Sequence, residues 1–156
     1  MPPKLPIATL TDLARNRTDD ALRRLAALQN ASASASQKLD MLLQYRRDYG
    51  AQLQTLMAQG MDSAQWRNYQ HFLATLDGGI EQQRAAAEQS QARVATGRTD
   101  WQHQQRRLNA FETLAERLQR QERAEQARRD QRASDEQASR MCFDRAAQAG
   151  NQLEPQ

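Results

Sequence analysis

Two runs of heptad-spaced residues lie on either side of Gly60 and mirror each other. Before Gly60 the run consists of Leu25, Leu28, Ser32, Ala35, Leu39, Leu42, Arg46, Tyr49, Leu53 and Leu56. After it the run consists of Trp66, Tyr69, Leu73, Leu76, Ile80, Gln83, Ala87, Ser90, Val94, Gly97, Trp101, Gln104, Leu108, Phe111, Ala115 and Leu118. Alternating spacings of three and four place each run along one face of a helix, as in a coiled coil. The sequence therefore predicts an all-α fold, a long antiparallel two-helix coiled-coil hairpin with its turn near Gly60.

The sizes of opposing residues support this register. When the chain folds back at the turn, Leu25 faces Gly97 and Ala21 faces Trp101. Large side chains then oppose small ones, which close packing of two helices requires. A swapped dimer would use the same two faces, so the sequence leaves the oligomeric state open.

Local signals predict where the helices begin and end. Thr9 followed by Asp12 fits a capping box, and Asp62 with Gln65 provides a second helix start just after Gly60. Prolines near the N-terminus favour extended backbone. The predicted boundaries are an extended segment at 1–8, a coiled-coil domain at 9–140 made of helix 9–58, turn 58–62 and helix 62–140, and a disordered tail at 141–156.

Charge is abundant but nearly balanced. The chain has 22 Lys and Arg against 19 Asp and Glu, a net charge of +3. In residues 119–140, basic and acidic residues alternate at helical spacing, as in the pairs Glu116–Arg120 and Glu125–Arg129 that bracket its start. This pattern favours a solvated single helix. Nucleic-acid binding by the Arg-rich tail is the weaker alternative, because no aromatic stacking platform or recognised motif accompanies the arginines.

No constellation for catalysis or metal binding is found. His71 and His103 lack further ligands at metal-binding spacing, and Cys142 lacks a partner histidine. The pair Gly78-Gly79 has no Lys-Ser/Thr after it, so it is not a phosphate loop; local flexibility or a close helix approach explains it better. The sequence predicts no enzyme, no cofactor and no small-molecule substrate. Without a signal peptide or an apolar run of membrane-spanning length, we expect a cytoplasmic protein.

The segments next to the turn carry more large apolar residues than a hairpin can hide. A two-helix coiled coil buries only a narrow stripe on each helix, so some of these residues must be exposed. The predicted surplus is Leu42, Tyr45, Tyr49, Phe72 and Leu76. Tyr45 lies level with Leu76, and Tyr49 with Phe72, so they would form one stripe beside the helix contact. Exposed stripes of this kind mark protein interfaces, although the same residues would also fit a widened core.

Specific residues near the turn also resemble a known family. The blocks LDMLLQYRRDY (39–49) and WRNYQHFLATLDGGIEQQ (66–83), with Gly60 between them, resemble the FliJ family of flagellar export proteins. The most specific part is Trp66, Asn68, Tyr69, Gln70 and Phe72. The resemblance extends from about Leu10 to Arg140. It departs from the enterobacterial pattern at Lys38, Gly79 and Gln83.

This resemblance implies a function for the hairpin. Members of the family are similar to the stalk subunits of rotary ATPases. They engage the export ATPase, the cytoplasmic domain of the membrane export gate, and export chaperones. Carried over by position, the export-gate surface falls on Leu42, Tyr45, Tyr49, Phe72 and Leu76, the residues chosen above for their surplus.

The ATPase contact implied by the resemblance lies near residues 10–25 and 105–135, with no particular residues assigned. The expected protein couples the ATPase ring to the gate, without binding nucleic acid, at the inner face of the membrane at the flagellar base. A stalk of a virulence type III secretion system, or a generic coiled-coil scaffold, is the alternative.

Overall fold

The described part of the chain consists of two long α-helices. The computed structural model describes residues 6–152. Helix α1 spans Ile7–Gln59 and helix α2 spans Ser63–Asn151, and no strand occurs within the described range. The two helices pack against each other on either side of the turn, which confirms the predicted all-α helical hairpin. Predictions for residues 1–5 and 153–156 lie outside the described residues.

The turn between the helices is built by Gly60 and Asp62. Gly60 has a φ of 94°, a left-handed conformation that glycine adopts without the steric penalty of a Cβ. Its N–H donates to the carbonyl of Met57 at 3.4 Å. Asp62 Oδ1 accepts the N–H of Ala64 at 3.5 Å, so Asp62 caps α2 as its sequence position predicts.

Helix α1 begins earlier than the capping-box signal indicates. Its first residue is Ile7, and the N–H of Leu10 donates to the carbonyl of Pro6 at 3.0 Å. Thr9 is therefore inside the helix, where its side chain is exposed, and the predicted start at Thr9 is wrong. Ile7 is only 9% exposed, and burial of this apolar side chain favours extending the helix by the two residues that the Thr9 cap would have excluded.

The chain divides into two compact units, of which Asp12–Leu108 is the larger. This unit contains the hairpin turn, and its buried residues from Leu25 onward all occupy predicted heptad positions. Thr18, although polar, is buried, and its hydroxyl donates a hydrogen bond to the carbonyl of Ala14 at 2.8 Å. The buried residues of this unit are Ala14, Thr18, Ala21, Leu25, Leu53, Leu73, Ile80, Ala87, Gly97 and Leu108.

Gly97 confirms the predicted size complementarity. A Cβ placed on Gly97 would lie 2.7 Å from Leu28 Cδ1 and 3.6 Å from Leu25 Cδ1. The two leucines therefore occupy the space that a side chain at position 97 would need. This level of the hairpin packs in the register that the sequence predicts, with large residues on α1 against glycine on α2.

The second unit joins the residues before Asp12 to those from Asn109 onward. Ile7 and Thr11 are buried in it, Phe111 and Ala115 are half-buried, and every described residue after Ala115 is exposed. These exposed residues remain helical to Asn151. The predicted helix end at 140 and the predicted disorder at 141–151 are therefore wrong.

Local interactions account for this exposed helix. The predicted pairs Glu116–Arg120 and Glu125–Arg129 form at 3.7 and 3.8 Å, and Glu136–Arg140 at 4.0 Å. Exposed pairs at this spacing each stabilise a helix by roughly 0.2–0.5 kcal/mol. Residues 141–151 contain Ala, Arg, Gln and Met, which have high helix propensity, and the absence of proline lets the helix continue.

Candidate protein-binding surface

The five predicted surface residues lie in the Asp12–Leu108 unit and differ in exposure. Tyr45 is 49% exposed, Phe72 is 42% exposed and Tyr49 is 36% exposed. Leu42 and Leu76 are half-buried, as expected for positions that also belong to the heptad runs. The group of Leu42, Tyr45, Tyr49, Phe72 and Leu76 is called the aromatic surface below.

Four of these residues line one open groove. Tyr45 and Tyr49 contribute from α1, and Phe72 and Leu76 contribute from α2. The rings of Tyr49 and Phe72 meet with their centroids 4.6 Å apart at an interplanar angle of 55°. A tilted aromatic contact of this kind contributes about 0.5–1.5 kcal/mol beyond area burial. The levels predicted from the register, Tyr45 with Leu76 and Tyr49 with Phe72, therefore come together; Leu42 is not part of the groove lining.

Two polar residues complete the groove, and the sequence reasoning missed both. Asp48 and Gln52 line it beside the tyrosines. Each follows a tyrosine of α1 by three residues, a spacing that places side chains on the same face of a helix. Asp48 Oδ1 also accepts a hydrogen bond from Gln44 Nε2 at 2.9 Å. The spacing of three residues from each tyrosine could have revealed them. A criterion based on surplus apolar residues does not select polar ones.

An ion pair connects the two helices near the same levels. Arg46 Nε donates to Asp77 Oδ1 at 2.7 Å. A further interhelical contact joins Gln83 Nε2 to the carbonyl of Ala35 at 3.0 Å. Arg46 and Gln83 are polar members of the two predicted heptad runs, and each makes a hydrogen bond to the opposite helix. The sequence placed them at the contact but did not identify their partners.

The residues weighed for other chemistry are placed on the surface. His71, His103 and Cys142 are exposed, and no group of three or more His, Cys, Asp or Glu suited to a metal ion occurs within residues 6–152. Gly78 and Gly79 lie inside α2, and nothing is within 4 Å of a Cβ built on either one. They do not mark a close helix approach. Across residues 6–152, neither helix has a segment of the length and apolarity needed to cross a membrane.

The fold places the chain in the class of helical hairpins, with a groove of two tyrosines, a phenylalanine and a leucine whose composition is typical of protein-binding surfaces. Comparison with known sequences identifies the family. The family model described as flagellar FliJ protein matches residues 3–147. The chain belongs to the flagellar FliJ family.

Two curated relatives have similar sequences over most of their length. The flagellar FliJ protein of Salmonella typhi is 36% identical over 137 residues, which cover 88% of this chain and 93% of that protein. The flagellar FliJ protein of Escherichia coli (strain K12) is 35% identical over 137 residues with the same coverage.

Proposed function

We propose that this protein is a non-enzymatic component of the flagellar type III export apparatus, and that its aromatic surface binds the cytoplasmic domain of the export gate. In this role it couples the export ATPase ring to the gate and engages export chaperones. It acts in the cytoplasm, at the inner face of the membrane at the flagellar base. The observation that carries the gate assignment is the groove formed by Tyr45, Tyr49, Phe72 and Leu76.

Family membership supports the broader part of this proposal. The chain matches the flagellar FliJ model along almost its whole length and is about as long as its relatives. A role in flagellar export requires specific contacts with other proteins of the apparatus. A hairpin whose functional residues are side chains on helix surfaces suits this task, because helices hold contact residues at fixed spacing.

The composition of the groove supports its use in binding. Tyrosine and tryptophan are enriched among the residues that dominate binding energy at protein interfaces, and their rings give large contact areas for little loss of conformational entropy. Here Tyr45 and Tyr49 are exposed on α1 while Phe72 is exposed on α2. The contact between the rings of Tyr49 and Phe72 joins residues of the two helices into one continuous surface for a partner.

The experiment compares the wild type with a variant carrying Tyr45→Ala, Tyr49→Ala, Phe72→Ala and Leu76→Ala. Isothermal titration with the purified cytoplasmic domain of the export gate should detect binding to the wild type and none to the variant. Circular dichroism should give nearly equal helicity for both proteins, because the buried core residues are unchanged. Loss of helicity in the variant would assign these side chains to the core instead.

A matched control removes exposed apolar area elsewhere in the same unit. Leu13 and Leu22 are 44% and 49% exposed and lie outside the groove. The double variant Leu13→Ala and Leu22→Ala should bind the gate domain as the wild type does. Equal binding by the wild type, the control and the four-residue variant would refute the gate assignment.

A further inference from the structure

Arg46 is a charged residue at a position where the heptad pattern calls for an apolar one. Its neighbours in the run are Leu42, which is half-buried, and Tyr49, whose ring contacts Phe72 on α2. The Arg46 side chain is 39% exposed and pairs across that contact with Asp77, which is 54% exposed. An arginine that lies partly within the helix contact needs an explanation other than burial of apolar area.

Gly50 lies beside the Arg46 side chain. A Cβ built on Gly50 would lie 3.4 Å from Arg46 Nη1, which is close to ordinary van der Waals contact. Glycine in a helix interior costs about 1 kcal/mol relative to alanine.

The ion pair and the aromatic groove lie at different angles around the two helices. Successive residues of a helix are rotated by about 100°, so Asp77 is about 140° around α2 from Phe72. On α1, Arg46 is about 100° around the helix from Tyr45 and about 60° from Tyr49. Leu53, Leu73 and Ile80 are buried along the contact between the helices. The helices are therefore joined at neighbouring positions by the ion pair and by the contact between the rings of Tyr49 and Phe72.

Stability does not account for the ion pair. Exposed ion pairs contribute only about 0–1 kcal/mol, and this pair is well exposed on both sides. Polar residues within coiled-coil contacts instead select one arrangement of the helices over others. The turn at Gly60 fixes the axial register of the two helices. Their rotation about their own axes depends on side-chain contacts. Arg46 is 14 residues before Gly60, about 21 Å along the helix.

We infer that Arg46 is a positioning residue for the aromatic surface. Its ion pair with Asp77 sets the rotation of α1 relative to α2, and this rotation brings Tyr49 against Phe72 to form the groove. The functional consequence rests on the proposed binding of the export gate. The structural consequence, the ring contact itself, is independent of any partner.

The test uses the full-length protein with Arg46→Gln, which removes the charge while keeping a side chain of similar length. The nuclear Overhauser effect between the ring protons of Tyr49 and Phe72 should weaken or vanish. Affinity for the gate domain should fall by up to about fivefold, equivalent to about 1 kcal/mol, which is the most that an exposed ion pair contributes. The Tm should change by no more than about 3 °C, because the lost pair is exposed. Asp77→Asn removes the same pair from the other helix and should have the same effects.

Two further variants, a charge reversal and the loss of a neighbouring charge, show whether the effects are specific to the pair of Arg46 and Asp77. The double variant Arg46→Glu with Asp77→Arg should restore the ring contact and bring affinity back to within about 1.5-fold of wild type, by rebuilding the pair with opposite polarity. Arg47→Gln removes an equal charge next to Arg46, but Arg47 hydrogen-bonds Gln44 within α1 and does not reach α2. This control should leave both the ring contact and the affinity unchanged.

The outcomes separate the positioning role from the proposed function. An unchanged ring contact in both single variants would overturn the positioning role, as would failure of the charge reversal to restore it. If the wild type shows the ring contact but does not bind the gate domain, the proposed function fails. The ring-contact measurements would still decide the role of Arg46 in that case.

Discussion

Two ends of the Asp12–Leu108 unit use the same heptad pattern in different ways. At the end away from the turn, Ala21, Leu25 and Gly97 are buried, and the leucines of α1 fill the space above the glycine. Near the turn, Leu53 and Leu73 are just as buried, yet Tyr45 and Phe72 beside them are exposed. At the first end the exposed large apolar residues Leu13 and Leu22 lie outside the groove, whereas near the turn Tyr45, Tyr49 and Phe72 line it together.

The difference supports the proposed binding surface near the turn. Small residues let two helices approach closely, so that the contact is tightly packed. Bulky residues that flank the contact stay exposed instead, since a two-helix structure has no third layer to cover them. Near the turn, the short connection at Gly60 also holds α1 and α2 side by side, so residues of both helices can contribute to one surface.

The largest expected effect comes from truncating the shared core. Leu25→Ala and Leu53→Ala should each lower the free energy of unfolding by about 3 kcal/mol, because both leucines are buried. Tyr45→Ala should change it by no more than about 0.5 kcal/mol, since its side chain is half exposed. Urea denaturation monitored by circular dichroism measures all three. A loss for Tyr45→Ala equal to that of Leu53→Ala would erase the distinction between core and surface near the turn.

A smaller effect is expected from adding volume at two glycines. Gly97→Leu should cost about 2 kcal/mol, because its Cβ would already lie 2.7 Å from Leu28 Cδ1. Gly79→Leu should not destabilise the protein, because nothing lies within 4 Å of a Cβ there. Thermal unfolding of the two variants compares the tightly packed level at Gly97 with the open surroundings of Gly79. Equal losses at both positions would show that the turn-side region is packed as tightly as the other end.

The smallest expected effect is a gain in stability. Gly78→Ala should raise the free energy of unfolding by about 0.8 kcal/mol, because alanine has higher helix propensity and meets no neighbour within 4 Å. Gly78 lies about 120° around α2 from Phe72, so gate binding should stay unchanged. Chemical denaturation and titration with the gate domain test the two halves of this prediction. A loss of stability would mean that Gly78 serves a packing role in the hairpin.

Much of the fold could be predicted because heptad spacing reports directly on which residues two helices bury. The turn at Gly60 and the cap at Asp62 also followed from local chemistry. The start of α1 was missed because burial of Ile7 outweighs the capping signal at Thr9. The length of α2 was missed because helix propensity and ion pairs extend a helix without any apolar pattern to reveal it.

The candidate surface was predicted in part. Counting apolar residues near the turn selected Tyr45, Tyr49, Phe72 and Leu76, which line one groove. The count could not separate Leu42, which is half-buried outside the groove lining, from these four. It also passed over Asp48 and Gln52, since a polar residue carries no signal of surplus. Whether this surface binds the export gate stays a prediction.

The sequence by itself determined the number of helices, the position of the turn and the residues that meet across the hairpin. It could do so because heptad spacing and the steric freedom of glycine act locally. Only the tertiary structure decided that the rings of Tyr49 and Phe72 touch and that Arg46 reaches Asp77. These outcomes depend on the rotation of one helix against the other, which is set by side chains far apart in the sequence.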